Sequence, residues 1–173
     1  FDCRIVIPND PALAVLKGGV LFGYNPYMMS ERKAKYWYGI ASFTKFNPNF
    51  HNYEKKNKDL CSDIFDICVQ RGSILTVYEG HFKGPYETNR DDQNEMDLEI
   101  YVSDSDTPPM YVTDEKCHYL GSLTVDLPKN SKRNTRGVFV NFTFGGQEFF
   151  VRARINSNKV VMTGTFNFLE NEP

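Results

Sequence analysis

The sequence predicts a mainly β chain in which an antiparallel sheet buries one of its faces. Apolar and polar residues alternate over four successive stretches of the last third, and turns such as Gly145-Gly146 and Asn156-Ser157-Asn158 separate them. Alternation of period two places one set of side chains on one face of a strand, and short turns join antiparallel neighbours. We therefore expect a four-stranded meander between Tyr119 and Leu169, with an apolar face that another layer must cover.

Composition limits the functions that the chain can have. With 173 residues, of which 40% are hydrophobic and 24% charged, the chain can bury one core. A net charge of −2 without a basic stripe argues against nucleic acid as a partner. No apolar run approaches the ~20 residues of a membrane span, so a membrane partner is not expected. The cysteines lack metal-ligand spacing, which predicts free thiols of a reducing compartment at Cys3, Cys61, Cys68 and Cys117.

Ahead of the sheet, the sequence predicts a strand and a helix. The strand runs from Cys3 to Ile7, and the helix runs from Pro11 to Phe22 and is ended by Gly23. This pair is too small to bury its own apolar face, so we interpret it as the end of a preceding domain. Residues 25–35 are interpreted as a linker, and a strand from Tyr36 to Phe43 begins the sheet domain.

The middle of the chain is predicted with alternatives left open. Thr44 to Asp59 is rich in Lys and Asn, which fits a mobile loop or an extended hairpin, and we expect it to be mobile. Cys61 to Val69 fits a strand or a short helix. Ile74 to Glu79 and Leu98 to Val102 are predicted strands, and the intervening residues 80–94 end in a polar, acidic turn.

Two stretches near the N-terminus resemble a known family. Ile5 to Pro8, followed by Leu13 to Gly23, resembles the final helix of the nucleotide-binding domain of the 70 kDa heat-shock chaperones. The Ala-Val-Leu-Lys-Gly run within it, Ala14 to Gly18, is similar to the divergent twelve subfamily, with its A and B members. Cys61 to Phe65, which follows a long insertion, also resembles that subfamily.

The rest of the chain resembles the substrate-binding domain of the same family. Tyr38 to Ile40 is similar to its first strand, and Tyr86 to Asn89 with Asp92 to Asn94 is similar to the hairpin that lines its peptide groove. Leu120 to Pro128 and Val138 to Phe144 are similar to its later strands. The resemblance implies a two-layer antiparallel β-sandwich over residues 36–170, preceded by the last strand and helix of an ATPase domain over residues 1–24.

The resemblance also implies a function. It identifies the chain as the peptide-binding domain of a chaperone-like, cytoplasmic protein that holds extended apolar segments of unfolded client proteins, with co-chaperones as further partners. ATP and Mg²⁺ would bind to an upstream domain, so we expect no cofactor and no enzymatic activity in this part. The alternative is a protein-interaction sandwich of a non-chaperone kind that recognises a folded partner.

The match to the family assigns the site residues position by position. Three apolar side chains would line a central pocket, namely Ile40, Met96 and Leu98. Tyr86 would form its aromatic wall beside Glu87, and Phe43 and Asn89 would stand at an arch over the peptide. Strand addition to such a groove supplies affinity, and pockets supply specificity. The residue types alone leave open that the three apolar positions are ordinary core residues of a strand face.

Other chemistry has weaker support in the sequence. Two clusters of aspartates lie in or beside loops. Some β-sandwiches bind Ca²⁺ between loops through such hard oxygen ligands. The clusters are Asp91, Asp92 and Asp97, and separately Asp104, Asp106 and Asp114. Their spacing fits no known calcium loop, and acidic turns usually face water, so no metal site is predicted. The histidines have no Ser or Cys partner at a recognisable spacing, so no catalytic residue is predicted either.

Overall fold

The computed structural model describes residues 5, 7–8, 10–25, 28–88, 90, 92–128, 136–145, 148–155 and 161–167. In these residues the chain forms one α-helix and eleven strands, and the predicted mainly β fold is confirmed. The helix is α1 (Pro11–Tyr24), and the strands are β1 (Glu31–Lys33), β2 (Trp37–Lys45), β3 (Lys56–Asn57), β4 (Leu60–Val69), β5 (Ile74–Thr76), β6 (Gly80–Tyr86), β7 (Glu95–Ser103), β8 (Cys117–Asp126), β9 (Val138–Phe144), β10 (Glu148–Ile155) and β11 (Val161–Asn167).

Two antiparallel sheets pack face to face around one core. The five-stranded sheet has the order β3-β4-β2-β7-β8, and the four-stranded sheet has the order β11-β10-β9-β6. Tyr38 of the first sheet packs edge-on against Phe144 and Phe149 of the second, with ring centroids 4.9 and 5.4 Å apart. Aromatic rings bury large apolar areas and favour this edge-to-face geometry. The predicted two-layer antiparallel β-sandwich is therefore confirmed.

The predicted four-stranded meander is divided between the two sheets. Strands β9, β10 and β11 are sequential antiparallel neighbours, as the alternation predicts. Strand β8 instead pairs with β7 in the other sheet, and β6 pairs with β9 as the fourth strand. The connection from β8 to β9 spans residues 127–137, which is longer than the roughly 2–5 residues of a β-hairpin loop. Alternation correctly predicts the strands but not the partner of each strand.

The N-terminal helix stands apart from the sandwich. It continues through Gly23 to Tyr24, past the predicted stop, and the Asn25 N–H donates to the Leu21 carbonyl oxygen at 2.9 Å. None of its residues is buried, and apolar side chains such as Val15 and Leu16 are exposed. The predicted strand from Cys3 to Ile7 lies largely outside the described residues.

Two segments predicted as irregular contain ordered structure. Strand β1 lies within the predicted linker and pairs with β5, and the adjacent Ala34 is buried. After β2, the Phe46 N–H donates to the Asp59 carbonyl oxygen at 2.9 Å, and the rings of Phe46 and Tyr53 are 5.2 Å apart. Residues 44–59 thus contain the end of β2, a short 3₁₀ helix over Tyr53–Lys55 and strand β3, which pairs with β4. Their mobility stays a prediction.

Candidate binding cleft

The five-stranded sheet splits between its two central strands. Strand β2 pairs with β7 only over Trp37 to Ile40, opposite Ile100 to Ser103. Beyond this point β2 continues as Ala41 to Lys45 and pairs only with β4, while residues Glu95 to Glu99 of β7 pair only with β8. In the described chain, two strand edges therefore face a gap with backbone N–H and C=O groups that no ladder uses. Such edges are templates for the addition of another strand.

The split opens into a cleft of about 690 Å³. On the side of the five-stranded sheet, the cleft is lined by the separated parts of β2 and β7 and by β4. On the side of the four-stranded sheet, it is lined by β6 and residues 87–88. Its volume lies within the range of roughly 300–1,000 Å³ that is typical of ligand pockets. The apolar part of the lining consists of Ala41, Phe43, Leu60, Ile64, Pro85, Tyr86, Met96 and Leu98.

The structure brings five of the seven predicted site residues to this cleft. They are Phe43, Tyr86, Glu87, Met96 and Leu98. Ile40 does not line the cleft, because its side chain is fully buried in the main core. Asn89 lies outside the described residues. The assignment of these residues to peptide binding stays a prediction, although five of them now share one surface.

Met96 and Leu98 form a closed floor rather than an open pocket. They alternate on β7 with Glu95 and Asp97, and their inward side chains are only 7% and 2% exposed. Both residues belong to the core cluster of the sandwich and line the cleft with little accessible surface. At Met96 and Leu98 the predicted central pocket is therefore not open in this structure. A charge at Met96 would be buried, so Met96→Asp would test stability more than binding.

The accessible aromatic surface comes from Phe43 instead. Its side chain is 52% exposed and lies in the half of β2 that has left β7. On the other edge of β2, strand β4 has one extra residue opposite the stretch from Ser42 to Thr44. This bulge includes Asp63, which has a φ of 59°. This bulge bends β4 and the end of β2 locally. The rim of the cleft therefore presents an apolar ring to solvent.

A polar cluster joins the two sheets at the back of the cleft. Asp66 of β4 accepts a hydrogen bond from the Tyr86 hydroxyl at 2.8 Å and pairs with Lys83 Nζ at 3.0 Å. Lys83 Nζ also donates to the Ile67 carbonyl oxygen at 3.0 Å. These contacts hold the aromatic wall of the cleft against β4. Asp66 is not among the predicted site residues, although a carboxylate within the apolar run from Ile64 to Val69 was a signal for it.

The Tyr86 hydroxyl and the neighbouring Cys68 thiol stay protonated near neutral pH, because the pKa of each is raised. Burial is the main cause that raises the pKa of Tyr86, and the neighbouring Cys68 and Asp66 raise it further. Burial likewise raises the pKa of the Cys68 thiol to about 12. Because a nucleophilic cysteine needs an accessible thiolate, Cys68 is suited to packing and not to covalent chemistry.

Thr88 is a further residue of the cleft that is not among the predicted site residues. It lines the cleft, is 2% exposed, and its hydroxyl has no hydrogen-bond partner among the described residues. Buried hydroxyl groups are normally hydrogen-bonded.

Within the described residues, no group of three His, Cys, Asp or Glu side chains could hold a metal ion. The same residues contain no helix long and apolar enough to cross a membrane.

The fold and the cleft define an antiparallel β-sandwich with an open cleft between two parted strands. Comparison with known proteins identifies its relatives. The chain is 30% identical over 134 residues to heat shock 70 kDa protein 12A of Homo sapiens, a match that covers 75% of this chain and 20% of that protein. It is 26% identical over 180 residues to heat shock 70 kDa protein 12B of Homo sapiens, covering 97% and 26%.

The mouse protein 12A gives a similar match, at 30% identity over 129 residues, which cover 72% of this chain and 19% of that protein. No protein-family model matches the chain. The chain is a divergent member of the heat shock 70 kDa protein 12 family, as the resemblance predicted. It spans about a fifth to a quarter of the length of these curated relatives.

Proposed function

We propose that the chain holds an extended polypeptide segment in the cleft, as the client-binding part of a chaperone-like protein. One observation carries the proposal: the β2–β7 ladder stops at Ile40 and Ile100, while both strands continue along the cleft. An extended segment could pair with either free edge, so that main-chain hydrogen bonds would supply affinity for unrelated sequences. The membership of a chaperone-related family supports the same function.

The side chains of the cleft support a preference for apolar client residues. Phe43 offers an exposed ring at the rim, and Tyr86 offers a wall that Asp66 holds in place. Burial of apolar surface contributes roughly 25 cal/mol per Å², so contact with Phe43 would add affinity without a deep pocket. In this proposal the cleft acts by binding alone, and ATP and Mg²⁺ belong to other parts of a longer protein.

The site of action proposed for the protein is the cytoplasm. In the described residues, Cys61, Cys68 and Cys117 are free thiols, which suits a reducing compartment. The clients would be unfolded or extended polypeptides, and co-chaperones would be further partners of the whole protein.

The proposal is tested by peptide binding to the wild-type chain and to two matched variants. Fluorescence anisotropy with several unrelated apolar heptapeptides should give saturable binding at micromolar strength. Phe43→Ala removes exposed apolar surface at the rim and should weaken binding at least about tenfold, which corresponds to ~1.4 kcal/mol. Phe82→Ala removes a ring that is 76% exposed on β6 but does not line the cleft, and it should leave binding unchanged.

Hydrogen exchange shows whether the bound segment is an added strand. Amides in Ala41–Lys45 that face β7 should exchange fast in the free chain and slowly with peptide bound, because they gain main-chain partners. Absence of binding to every heptapeptide would overturn the proposal and would favour recognition of a folded partner. Equal loss of affinity in the Phe43→Ala and Phe82→Ala variants would place the binding surface elsewhere.

A further inference from the structure

The outward face of the four-stranded sheet carries two arginines without acidic partners. Arg152 and Arg154 are exposed on β10 and alternate there with residues buried in the core. Their cross-strand neighbours are uncharged, since Arg152 lies opposite Asn141 and Arg154 lies opposite Phe139. Neither guanidinium joins an ion pair in the described part of the chain. We call this surface the arginine face, and it comprises Phe82, Phe139, Asn141, Arg152 and Arg154.

The outward face of the five-stranded sheet carries the opposite charge beyond the split. Glu95, Asp97 and Glu99 are exposed on β7, and Asp126 of β8 lies directly opposite Glu95. Like charges directly opposite each other on a sheet are destabilising. Neither strand contains a Lys or Arg, and none of the four carboxylates joins an ion pair with a described residue. We call this surface the acidic face, and it comprises Glu95, Asp97, Glu99 and Asp126.

The two faces match in spacing as well as in charge. Residues on the same side of one strand are about 6.8 Å apart, and this interval separates both the two arginines and the successive carboxylates of β7. Two guanidinium groups can therefore stand opposite two carboxylates in register. The faces belong to different sheets and look away from each other, so they cannot meet within one chain.

We propose that the chain associates with a second copy of itself head to tail, with the arginine face of one copy on the acidic face of the next. A contact between two like faces would bring equal charges together, so a symmetric dimer is disfavoured. The head-to-tail contact uses two different faces and leaves one of each free at the ends, so that further copies can add. Phe82, 76% exposed, contributes apolar surface to the contact.

Sedimentation velocity tests the proposal on the wild-type chain. Between about 10 μM and about 1 mM protein, the weight-average mass should rise at low ionic strength, since screening is weak near 0.01 M salt. At about 0.5 M salt the mass should remain that of one copy, because the Debye length falls to a few ångströms. A chain that stays monomeric at the highest concentration in low salt overturns the proposal, and so does association that high salt leaves intact.

Charge reversal identifies the faces. Arg152→Glu with Arg154→Glu, or separately Glu95→Lys with Glu99→Lys, should abolish association, while Asp97 of the cleft is left unchanged. An equimolar mixture of the two double variants should associate again, because each face then meets an opposite charge. A milder pair, Arg152→Gln with Arg154→Gln, should also weaken association if the first variant folds poorly.

A control variant distinguishes a loss of association caused by the two faces from one caused by the change in net charge. Lys58→Glu with Lys116→Glu changes the net charge as much as the arginine reversal, at exposed positions outside both faces. This control should associate like the wild type. Loss of association in the control, or a mixture of the two reversed variants that stays monomeric, would contradict the proposed contact.

Discussion

The two parts of strand β2, Trp37 to Ile40 and Ala41 to Lys45, differ in strand pairing and in burial. From Tyr38 to Ile40 the strand is paired on both sides, and the residues from Trp37 to Ile40 are buried, Ile40 fully so. From Ala41 to Lys45 it is paired only with β4, and exposure rises to 52% at Phe43. Burial and exposure are thus divided along one strand. The closed half anchors the sheet, and the open half forms a wall of the cleft.

The largest expected effect is a loss of stability in the closed half. Ile40→Ala removes buried methyl and methylene groups from the core, and such a cavity costs about 2–5 kcal/mol of unfolding free energy. Ser42→Ala, two residues further on the same side of the strand, should change the unfolding free energy by less than about 0.5 kcal/mol. Urea unfolding followed by circular dichroism measures both. Similar losses in the two variants would show that the halves do not differ as proposed.

The second effect is a fall in the unfolding free energy at alkaline pH, caused by buried titratable groups in and beside the closed half of β2. Strand β4 has an extra residue, Cys68, between the partners of Tyr38 and Gly39, and burial raises the pKa of its thiol from 9.0 to about 12. Burial also raises the pKa of Tyr38. A raised folded-state pKa contributes stability that is fully present below the unfolded value and is lost as pH rises through the folded value. Unfolding free energy should therefore fall between about pH 9 and pH 12.

Cys68→Ala removes one of these groups and should make the fall with pH shallower. Urea unfolding at about pH 8 and about pH 10.5 gives the difference for each protein, so that any packing loss from the substitution cancels. The remaining fall belongs largely to Tyr38 and to Tyr86, whose pKa is also raised by burial. An equal fall in the wild type and the variant would mean that Cys68 ionises as freely in the folded chain as in the unfolded one.

Local patterns predicted the strands of this fold better than their pairing. The alternation in β9 and β10 predicts which residues are buried, because burial on one face follows directly from a period of two. The place where β2 leaves β7 is not encoded in either strand alone. The register shifts between β2 and β4 and the hydrogen bond from Tyr86 of β6 to Asp66 lie beside it, and both join residues that are distant in the sequence.

The candidate site shows the same limit. Phe43 ends the predicted first strand beside a long loop, where an aromatic side chain is less often part of the core, and it is exposed at the rim. Met96 and Leu98 alternate like any half-buried strand, so their residue types cannot tell an open pocket from a closed floor. The role of Asp66 could not be predicted from the sequence, because its partners, Lys83 and Tyr86, lie on a strand of the other sheet.

The smallest expected effect on stability, and the sharpest test of the comparison, is Phe43→Asp in the open half. An exposed side chain on a strand edge can carry a hydrated carboxylate, so the unfolding free energy should change by less than about 0.5 kcal/mol. The same substitution at Met96, which is 7% exposed, buries a charge and should cost several kcal/mol. Thermal melting and heptapeptide binding, measured on the same samples, separate the two positions. Phe43→Asp should melt like the wild type and fail to bind, because a charge then stands where an apolar client residue must pack. If Phe43→Asp melted as early as Met96→Asp, the open half of β2 would be part of the core, and the cleft would lose its rim.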